Sequence, residues 1–363
     1  MWAPTPAATM VTVAGLWRAD LQRRTVLTGS AWVATALAEP VGRWLLDAAD
    51  PAVTGTGGRR VGEADVDALW RMCTAFADAL YQLGGGYARS TLLHYADQAV
   101  APLLSGSYTD KVGRKLFAAA ARLCDIAGFM CFDSDRQGLG QRYFIQALRM
   151  AKISGDAALG AHILANLSEQ AHHQGHPDQA VVLADAGVTT ARRAGSRRVL
   201  GRCHVIQARA LALRGDERGS DRALNDAERA LDGGAPGDEP AWISFFTPQQ
   251  LAAESMYAAA DLGRSAHVRH HSTTALLPDS RMRRRQVMAT VTLAGSHLPG
   301  TARGTDVEQA CHLLREVLPL AGSLTSAPVA GAISGVRARL APYAKQPAVQ
   351  RLDHDFPPTA VES

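Results

Sequence analysis

The stretch GSRRVLGRCHVIQARALALRGDERGSDRALNDAERALDG, residues Gly195 to Gly233, has small residues and leucines at helical spacing. It contains no set of side chains that suggests catalysis. After Gly215, in the middle of the stretch, Ser220, Leu224 and Ala227 follow at offsets of five, nine and twelve. If these offsets recur, the stretch is one copy of a repeat, and the repeat fixes the architecture of the chain.

The offsets do recur. Gly175, forty residues earlier, takes the place of Gly215, and forty residues before that the equivalent residue is Asp135. In the other direction the equivalent residue is Gly263, forty-eight positions on, so one linker is longer. The residues at the three offsets are Ala180, Ala184 and Gly187; Gly140, Phe144 and Ala147; and Val268, Ser272 and Ala275; a weaker fifth copy has Ala310, Leu314 and Val317.

These offsets have a physical reason. A small residue where two helices cross lets their axes approach, and an apolar residue one turn later fills the groove between them. A single hairpin cannot bury its apolar stripe, whereas stacked hairpins bury a continuous core. The sequence therefore predicts an all-α fold, an α-solenoid with at least four antiparallel helical hairpins and no sheet of three or more strands.

The spacing resembles the tetratricopeptide repeat, whose second helix carries small, aromatic and small residues at these three places. The best match is Phe144, followed by Ala147-Leu148. The first-helix tryptophan and the closing proline of that repeat are missing, and the period is about six residues longer than the standard thirty-four. The resemblance implies degenerate tetratricopeptide-like hairpins.

The overall composition fits a helical protein and gives little sign of other classes. Only 6% of the 363 residues are aromatic, and the net charge of +4 does not by itself indicate nucleic acid. The five cysteines are scattered and show no paired spacing, which favours buried free thiols in a reducing, cytoplasmic compartment. No apolar run reaches the roughly eighteen residues of a membrane span, so we expect no membrane partner.

The N-terminal segment leaves two interpretations open. Arg23-Arg24, followed by an apolar stretch and an Ala-Leu-Ala sequence, looks like a twin-arginine export signal with its cleavage site. Asp20 just before the arginines, Trp32 within the apolar stretch and the odd number of cysteines instead favour a helix that docks on the first repeat.

Two blocks of the sequence resemble a known family. One is GLWRADLQRRTVL, which begins at Gly15, and the other runs from Leu83 to Asp156 and begins LGGGYARSTLLHYADQAV. Both are similar to the C-terminal part of large helix-turn-helix (XRE-type) transcriptional regulators of high-GC Gram-positive bacteria. The resemblance covers nearly all of the chain from Leu16 and is weak after Pro278. It implies a repeat domain that senses a signal or acts as an adaptor.

One departure from that family bears on DNA binding. In the family a small DNA-binding domain leads, a short arm with Trp-Arg and Arg-Arg pairs follows, and degenerate tetratricopeptide repeats complete the chain. The first residues here, MWAPTPAATMVTVAG, are too few and too rich in Pro and Ala for a helix-turn-helix. We therefore expect a fragment or a free-standing paralogue that reaches DNA only through a separate or missing helix-turn-helix domain.

The predicted organisation has four parts, which follow from turn signals and composition. They are an N-terminal arm over residues 1–48, a Gly/Pro-rich linker over 49–64, a tetratricopeptide-like repeat domain over 65–352 and a disordered tail over 353–363. Before the repeats, the pattern predicts helices near residues 65–83, 89–104 and 110–132.

No combination of residues predicts an enzyme or a metal site. The glycine clusters GTGG and GGG lack the context of a phosphate-binding loop and are predicted as turns. The histidines of EQAHHQGHPDQ and SAHVRHHST have no cysteine or carboxylate nearby at ligand spacing, apart from Glu169. The arginines of RMRRR, residues 281–285, spread around a helix, which indicates a solvated face rather than a phosphate site. We expect a non-enzymatic protein without a cofactor.

The first helix of each hairpin has a face that does not pack against its own second helix. In tetratricopeptide superhelices this face lines a concave groove, and its residues recur at offsets of three, four and seven. Here the face is polar, charged and aromatic. It predicts a ligand-binding groove made of Arg122, Asp125, Phe129, His162, Asn166, Glu169, His173, Arg202, Arg209 and Tyr257, with Phe132, Asp133, Gln250 and Asp261 beside them.

Two arginines are the predicted anchors of this groove. Arg202 and Arg209 lie two turns apart, and their guanidinium groups suit a carboxylate or a phosphate. Asn166 offers a donor and an acceptor that suit a peptide backbone. We expect Arg209 to be solvated, so that its truncation leaves stability nearly unchanged.

The predicted function is a cytoplasmic sensor or adaptor domain of a bacterial transcriptional regulator. It would bind a peptide, a small molecule or a partner protein in the groove, and a homodimer is left open. The alternatives are an exported helical repeat protein and a free-standing scaffold for protein–protein interaction.

Overall fold

The structure is a computed structural model that describes residues 2–22, 31–50, 52–232, 239–298 and 304–357. The part before the repeats is mostly helical. Its elements are α1 (Pro6–Leu21), a 3-10 turn (Ala34–Leu37), α2 (Ala38–Leu46), α3 (Glu63–Leu83), α4 (Gly85–Tyr95), a π-helical turn (Ala96–Val100) and α5 (Ala101–Leu104).

The rest of the chain is built from antiparallel helical hairpins. Their first and second helices are α6 (Asp110–Asp133) and α7 (Gln137–Ser154); α8 (Ala157–His173) and α9 (Pro177–Ala194); α10 (Arg197–Leu213) and α11 (Glu217–Asp232); α12 (Pro248–Asp261) and α13 (Ser265–Ala275); and α14 (Arg283–Ser296) and α15 (Val307–Ala321). Two further helices, α16 (Ala327–Leu340) and α17 (Pro347–Asp355), pack on the fifth hairpin. A 3-10 turn (Ala241–Ile243) precedes α12, and another (Ala341–Tyr343) follows α16.

The hairpins stack in chain order. In each of the five pairs the two helices pack against each other. The first helices also contact one another in sequence, α6 with α8, α8 with α10, α10 with α12 and α12 with α14. This arrangement confirms the predicted all-α solenoid of helical hairpins. The first helices share one side of the stack, where the predicted groove should lie.

The residues from which the repeat offsets are counted lie in the turns between the first and second helices of the hairpins. Gly175, Gly215 and Gly263 have φ values of +73°, +83° and +68°, and Asp135 has a φ of +56°. A residue in this left-handed region ends a helix and lets the chain reverse, and glycine does so without a Cβ penalty. The repeat spacing thus predicted the hairpins in the correct phase.

Small residues let the paired helices approach closely. Phe144 on α7 is fully buried, and a Cβ added to Gly128 on α6 would come within 2.8 Å of its ring. On the next hairpin, a Cβ on Gly187 of α9 would meet the carbonyl oxygen of Ala161 on α8 at 3.4 Å. The first crossing has no room for a methyl group, and the second has little.

The first helices of most hairpins also begin with a side-chain cap. Asp156 and Ser196 accept hydrogen bonds from backbone N–H groups at 2.8 and 3.1 Å, at the start of α8 and α10. Thr109 and Thr247 do the same for α6 and α12 at 3.4 Å. Such caps satisfy otherwise unpaired N–H groups and stabilise a helix by about 1 kcal/mol each. They fix where each helix begins and therefore which side chains face the groove.

The N-terminal helices dock on the repeats. Helix α1 packs on α4 and α7 and buries Trp17 completely, and α2 packs on α7 and α9. Asp20 on α1 is held by Arg89 Nη1 at 2.6 Å and by the hydroxyl of Tyr143 at 3.0 Å. Residues 23–30, which include the arginine pair of the export interpretation, lie outside the described residues.

Two boundaries differ in detail from the predicted ones. The predicted linker contains strand β1 (Gly55–Thr56), which pairs antiparallel with β2 (Ser107–Tyr108) in the only sheet of the described ranges. Helix α17 continues to Asp355, past residue 352, because Arg337 pairs with Asp353 at 2.9 Å and Leu352 is buried. No helix in the described part of the chain is long and apolar enough to cross a membrane.

The end of the solenoid contacts its beginning. Helix α14 packs on α3, and the N–H of Thr325 donates to the carbonyl oxygen of Leu83 at 2.9 Å. The Ser326 hydroxyl and the Arg284 guanidinium both donate to Asp133 Oδ1 at 2.7 Å. The concave side of the stack is therefore bounded by the last hairpins as well as by the first helices.

Glycines make this return possible. Gly84 has a φ of +83°, and a Cβ there would come within 2.6 Å of the carbonyl oxygen of Thr325. At Gly85 a Cβ would lie 2.5 Å from the carbonyl oxygen of Met130. Gly84 forms the turn between α3 and α4, Gly85 and Gly86 begin α4, and the small size of Gly84 and Gly85 makes room for the two segments that contact them.

Candidate functional site

A cavity of about 380 Å³ lies on the concave side of the stack. Its walls come from α3, α6, α8, α10, α12 and α14, with Pro328 of α16 at one side. Small-molecule pockets in proteins typically have volumes of roughly 300–1,000 Å³. The cavity can therefore hold a small molecule or a short piece of peptide.

The structure brings all the predicted groove residues together at this cavity. Each of the ten lies in its wall, and so do three of the four residues beside them. They come from successive first helices because the stack superimposes equivalent helix faces. Other side chains also line it, among them Tyr81, Phe245, Phe246, Glu254, Met282, Arg284, Arg285 and Met288.

The floor of the cavity is a buried network of charged groups. Arg122 Nη1 donates to Asp125 at 2.5 Å and lies 2.9 Å from Nε2 of His162. The Asn166 amide donates to the other oxygen of Asp125 at 2.7 Å, and its own oxygen accepts from Arg202 Nη2 at 2.6 Å. Each of these side chains is at most 7% exposed. Asn166 thus uses one amide N–H and its oxygen within the protein, and its predicted contact with a peptide backbone stays a prediction.

Burial determines the charge state of this floor. Burial would raise the pKa of Asp125, but His162, Arg122 and the Asn166 amide offset this and lower it to about 2. Burial and the charge of Arg202 lower the pKa of His162 to about 3, although Asp125 acts in the opposite direction. The imidazole is therefore neutral at physiological pH, and the carboxylate is ionised.

A second charged cluster lies further along the cavity wall. Arg209 Nη1 is 3.2 Å from Glu254 and 3.8 Å from Glu169, and the guanidinium lies over the Tyr257 ring with 5.2 Å to its centre. The Arg209 side chain is only 16% exposed. The expectation that Arg209 is solvated is therefore wrong, because α12 brings a carboxylate against it that the sequence analysis did not place there.

Glu254 is a residue that the helical pattern could have revealed. It lies four residues after Gln250 and three before Tyr257, so it shares their face of α12. The Gln250 amide donates to it at 2.9 Å. Burial raises the pKa of Glu254 above its ordinary value, and the charge of Arg209 opposes this rise only in part.

The prediction that the arginines of RMRRR form a solvated face is wrong for two of them, Arg284 and Arg285. Arg284 donates to the buried Asp133 at 2.7 Å and lies over the Phe129 ring, 5.4 Å from its centre. Arg285 is 4% exposed and contacts Asp279 at 3.3 Å. Both line the cavity. Their burial depends on the return of α14 to the first helices, which no local pattern encodes.

Two groups of aromatic rings pack around the charged residues of the cavity. Phe132 packs edge-on against both Phe129 and His173, with ring centres 5.2 Å apart in each pair. At the floor, His162 lies 5.0 Å from the ring of Trp242 and 6.0 Å from that of Phe245. These last two rings belong to the segment before α12, which covers the buried charge network.

Neither histidine cluster gathers metal ligands. Nε2 of His172 lies 2.9 Å from Asp261 at the exposed rim of the cavity. Among the described residues, no group of three or more His, Cys, Asp or Glu side chains is placed to hold a metal ion. The buried cysteines are equally inert, because burial raises the pKa of Cys73 and of Cys203 to about 12 and keeps their thiols protonated.

The arrangement has the features of a binding site. Charged groups held in fixed positions by mutual hydrogen bonds can orient a polar ligand, and the aromatic and methionine side chains can contact its apolar part. Helical repeat architecture is also compatible with protein interaction. No family model matches the chain, and no curated protein matches it significantly. The geometry of the cavity is therefore the basis from which a function is argued.

Proposed function

We propose that this chain is a non-enzymatic sensor domain of a bacterial transcriptional regulator, which binds a small molecule or a short peptide in its concave cavity. The proposal rests on one observation, the charged and aromatic lining of that cavity. A solenoid that served only as a rigid spacer would have no need of buried arginines on its concave side, since buried charges cost free energy unless they are well paired.

The regulator part of the proposal rests on the sequence resemblance alone. That family places a repeat domain after a DNA-binding domain, so that a signal bound to the repeats changes the activity of the regulator. In such an arrangement the ligand must bind one conformation of the repeats better than another. The contact between the last hairpins and the first helices is a suitable element, because a ligand in the cavity touches both sides of it.

The experiment is a thermal-shift screen with a matched pair of blocking variants. Ala260 is exposed at the rim of the cavity, whereas Ala266 is exposed on α13 and does not line it. Short peptides and small organic acids are screened on the parent protein. A ligand at one hundred times its Kd stabilises a folded protein by about 2.7 kcal/mol, and a loss of that shift in Ala260→Trp is the expected result.

The control decides whether the cavity is the site. Ala266→Trp should retain the ligand-induced shift of the parent, because its new ring projects away from the cavity. If ligands stabilise Ala260→Trp as much as Ala266→Trp, the cavity is not the binding site and the proposal fails.

A second candidate is a scaffold that binds a partner protein. The favouring observation is the set of large apolar side chains at the surface, among which Leu46 is 85% exposed and Tyr87 67% exposed. A pull-down that captures one partner equally with the parent and with Ala260→Trp would favour this candidate, because the cavity would then be irrelevant.

A further inference from the structure

Arg285 is a buried arginine that is only partly paired. Its side chain is 3% exposed, and Nη2 donates to Asp279 Oδ2 at 3.3 Å. Its Nε and Nη1 atoms have no hydrogen-bond partner within the described part of the chain. A buried donor without a partner destabilises the folded protein, and more so when the group is charged. Arg285 lines the cavity, so these donors are available to a ligand there.

Two more guanidinium groups lie around the same point. Arg209 lies over the Tyr257 ring, 5.2 Å from its centre, and Arg284 lines the same cavity as Arg285 and Tyr257. Burial raises the pKa of the Tyr257 hydroxyl, and the charges of the three arginines oppose this rise only in part. The Nε of Arg209 is also buried, and no residue that the structure describes is a hydrogen-bond partner for it. The unpaired groups at this end of the cavity are therefore mostly donors on positively charged side chains.

Two of the nearby carboxylates are already engaged by hydrogen bonds, and Glu169 lies 3.8 Å from Arg209. Asp133 accepts from Arg284, from Ser326 and, at 2.8 Å, from the N–H of Gly85. Glu254 accepts from Arg209 and Gln250. Burial lowers the pKa of Arg285, and Asp279 only partly opposes this. The protein itself thus leaves the charge of Arg285 incompletely balanced.

The position of Arg284 and Arg285 in their helix adds to this imbalance. Both lie in the first turn of α14, which begins at Arg283 without a side-chain cap. The N-terminus of a helix carries a partial positive charge, so arginines are unfavourable there and an anion is favourable. An anion at this end of the cavity would relieve both effects.

We propose that the ligand of the cavity carries a carboxylate or phosphate group that binds to Arg285 and Arg209 beside Tyr257. This inference rests on the proposed function. The apolar part of the ligand packs against Phe129 and Met288, since Arg284 lies over the Phe129 ring and Met288 is one turn further along α14. The ligand class is a compact amphiphilic anion that fits within about 380 Å³.

The test compares matched acids and amides on the parent protein by calorimetry. The pairs are 4-phenylbutanoate with 4-phenylbutanamide, and N-acetyl-Phe-Leu as the free acid with its C-terminal amide; phenyl phosphate represents phosphate ligands. We expect at least one anion to bind about tenfold more tightly than the uncharged analogue, since hydrogen bonds to charged groups contribute about 1.5–3 kcal/mol. The favoured probe then distinguishes a peptide carboxylate, a small acid and a phosphate.

Matched variants assign the effect to Arg285. Arg285→Gln should abolish the preference for the acid, whereas Arg283→Gln should retain it because Arg283 is exposed on the same turn. The comparison on the parent protein needs no variant, so the proposal stays testable if Arg285→Gln does not fold. Equal affinity of acid and amide, or no binding of any anion, overturns the proposed anion site. Equal binding to Ala260→Trp and the parent overturns the proposed function itself.

Discussion

Arg209 lies between two carboxylates, with Glu254 closer than Glu169, and both come from neighbouring hairpins. Glu254 is 7% exposed and accepts hydrogen bonds from Arg209 and from the Gln250 amide. The contribution of these residues to stability depends on whether each charge is paired, because a buried carboxylate that loses its partner keeps its desolvation cost. Arg209 is therefore a structural residue as well as a candidate anchor.

We predict that Arg209→Ala lowers the free energy of unfolding by about 3–5 kcal/mol, the usual cost of breaking a buried ion pair. Chemical denaturation measures this. Arg214→Ala is the control, because Arg214 is 40% exposed and its partner Asp216 is 38% exposed, and exposed substitutions usually stay within about 0.5 kcal/mol. A loss as small as that of the control would show that Arg209 is solvated, as the sequence alone suggested.

The pH dependence of this loss follows from Glu254. Burial raises its pKa in the folded protein, so Glu254 contributes stability that is complete below its unfolded pKa and is lost as the pH rises through the folded pKa. Removing Arg209 raises that pKa further. The difference between Arg209→Ala and the parent should therefore be smaller at pH 5 than at pH 7.5.

A second pH effect belongs to His162. Its pKa is about 3 in the folded protein and 6.5 ordinarily, so its stabilising contribution is present above pH 6.5 and is lost as the pH falls toward 3. We predict that His162→Gln removes a slope of up to about 1.4 kcal/mol per pH unit between pH 6 and pH 4. Denaturation curves at several pH values measure the slope. His270→Gln, at an exposed residue, should keep the slope of the parent; equal slopes in His162→Gln and the parent would contradict the assignment.

At the scale of the elements, the first hairpin depends on a large residue that meets a small one. The fully buried ring of Phe144 lies directly against Gly128, and the turn at Asp135 connects the two helices. The aromatic position of the repeat is therefore part of the packing between helices. A substitution of either Phe144 or Gly128 should therefore alter the packing of both helices.

We predict that Phe144→Ala costs about 3–5 kcal/mol of folding free energy, because it leaves a cavity between α6 and α7. Gly128→Ala should cost about 1–3 kcal/mol through overpacking. In the double variant the new methyl group occupies space vacated by the ring. The loss of folding free energy in the double variant should therefore be smaller than the sum of the losses in the two single variants. Val182→Ala on α9, where the side chain is 56% exposed, is the control. Strict additivity would show that the two residues do not share the same space.

For the whole molecule, the decisive feature is the contact between the end of the solenoid and its start. Asp133, whose side chain is fully buried, joins α14 and the start of α16 to the N-terminus of α4 through the bonds of Arg284, Ser326 and Gly85. These residues are far apart in sequence, since 151 positions separate Asp133 from Arg284. This contact accompanies the placement of Arg284 and Arg285 in the wall of the cavity.

We predict that Arg284→Met loosens this contact and costs about 3–5 kcal/mol, because Asp133 remains buried without its ionic partner. The local reporter is the N–H of Thr325, which donates to Leu83 and should lose protection from hydrogen exchange. Arg283→Met, at an exposed residue of the same turn, is the control. Unchanged protection of Thr325 in Arg284→Met would show that Asp133 does not hold the two ends together.

The distribution of charge over the molecule gives a prediction about DNA. The net charge is only +4, and two arginines of the most basic run are turned into the cavity. We predict that this chain alone binds DNA weakly, without sequence preference, and with a strong dependence on salt. Gel-shift measurements at increasing salt test this. A sequence-specific complex that resists salt would contradict it.

The sequence by itself determined the hairpins and the side chains that face the concave side. Both depend on local rules: a glycine such as Gly175 or Gly215 that follows the last residue of a helical apolar pattern favours a helix end, and offsets of three, four and seven place Asn166 and Glu169 on one helix face. Because equivalent helices stack, a face identified in one repeat is carried into register with the next. That is why all ten predicted residues line one cavity.

Only the tertiary structure decided whether those side chains are solvated and what encloses them. A run such as RMRRR has the same local pattern on a solvated helix as on a buried one, and nothing near Arg284 in sequence indicates that Asp133 is its partner. The state of Arg209 likewise depends on Glu254 of another hairpin. Burial of a charge is set by partners brought from far along the chain, and its free energy depends on their distance and on the exclusion of water. Helical periodicity contains neither quantity.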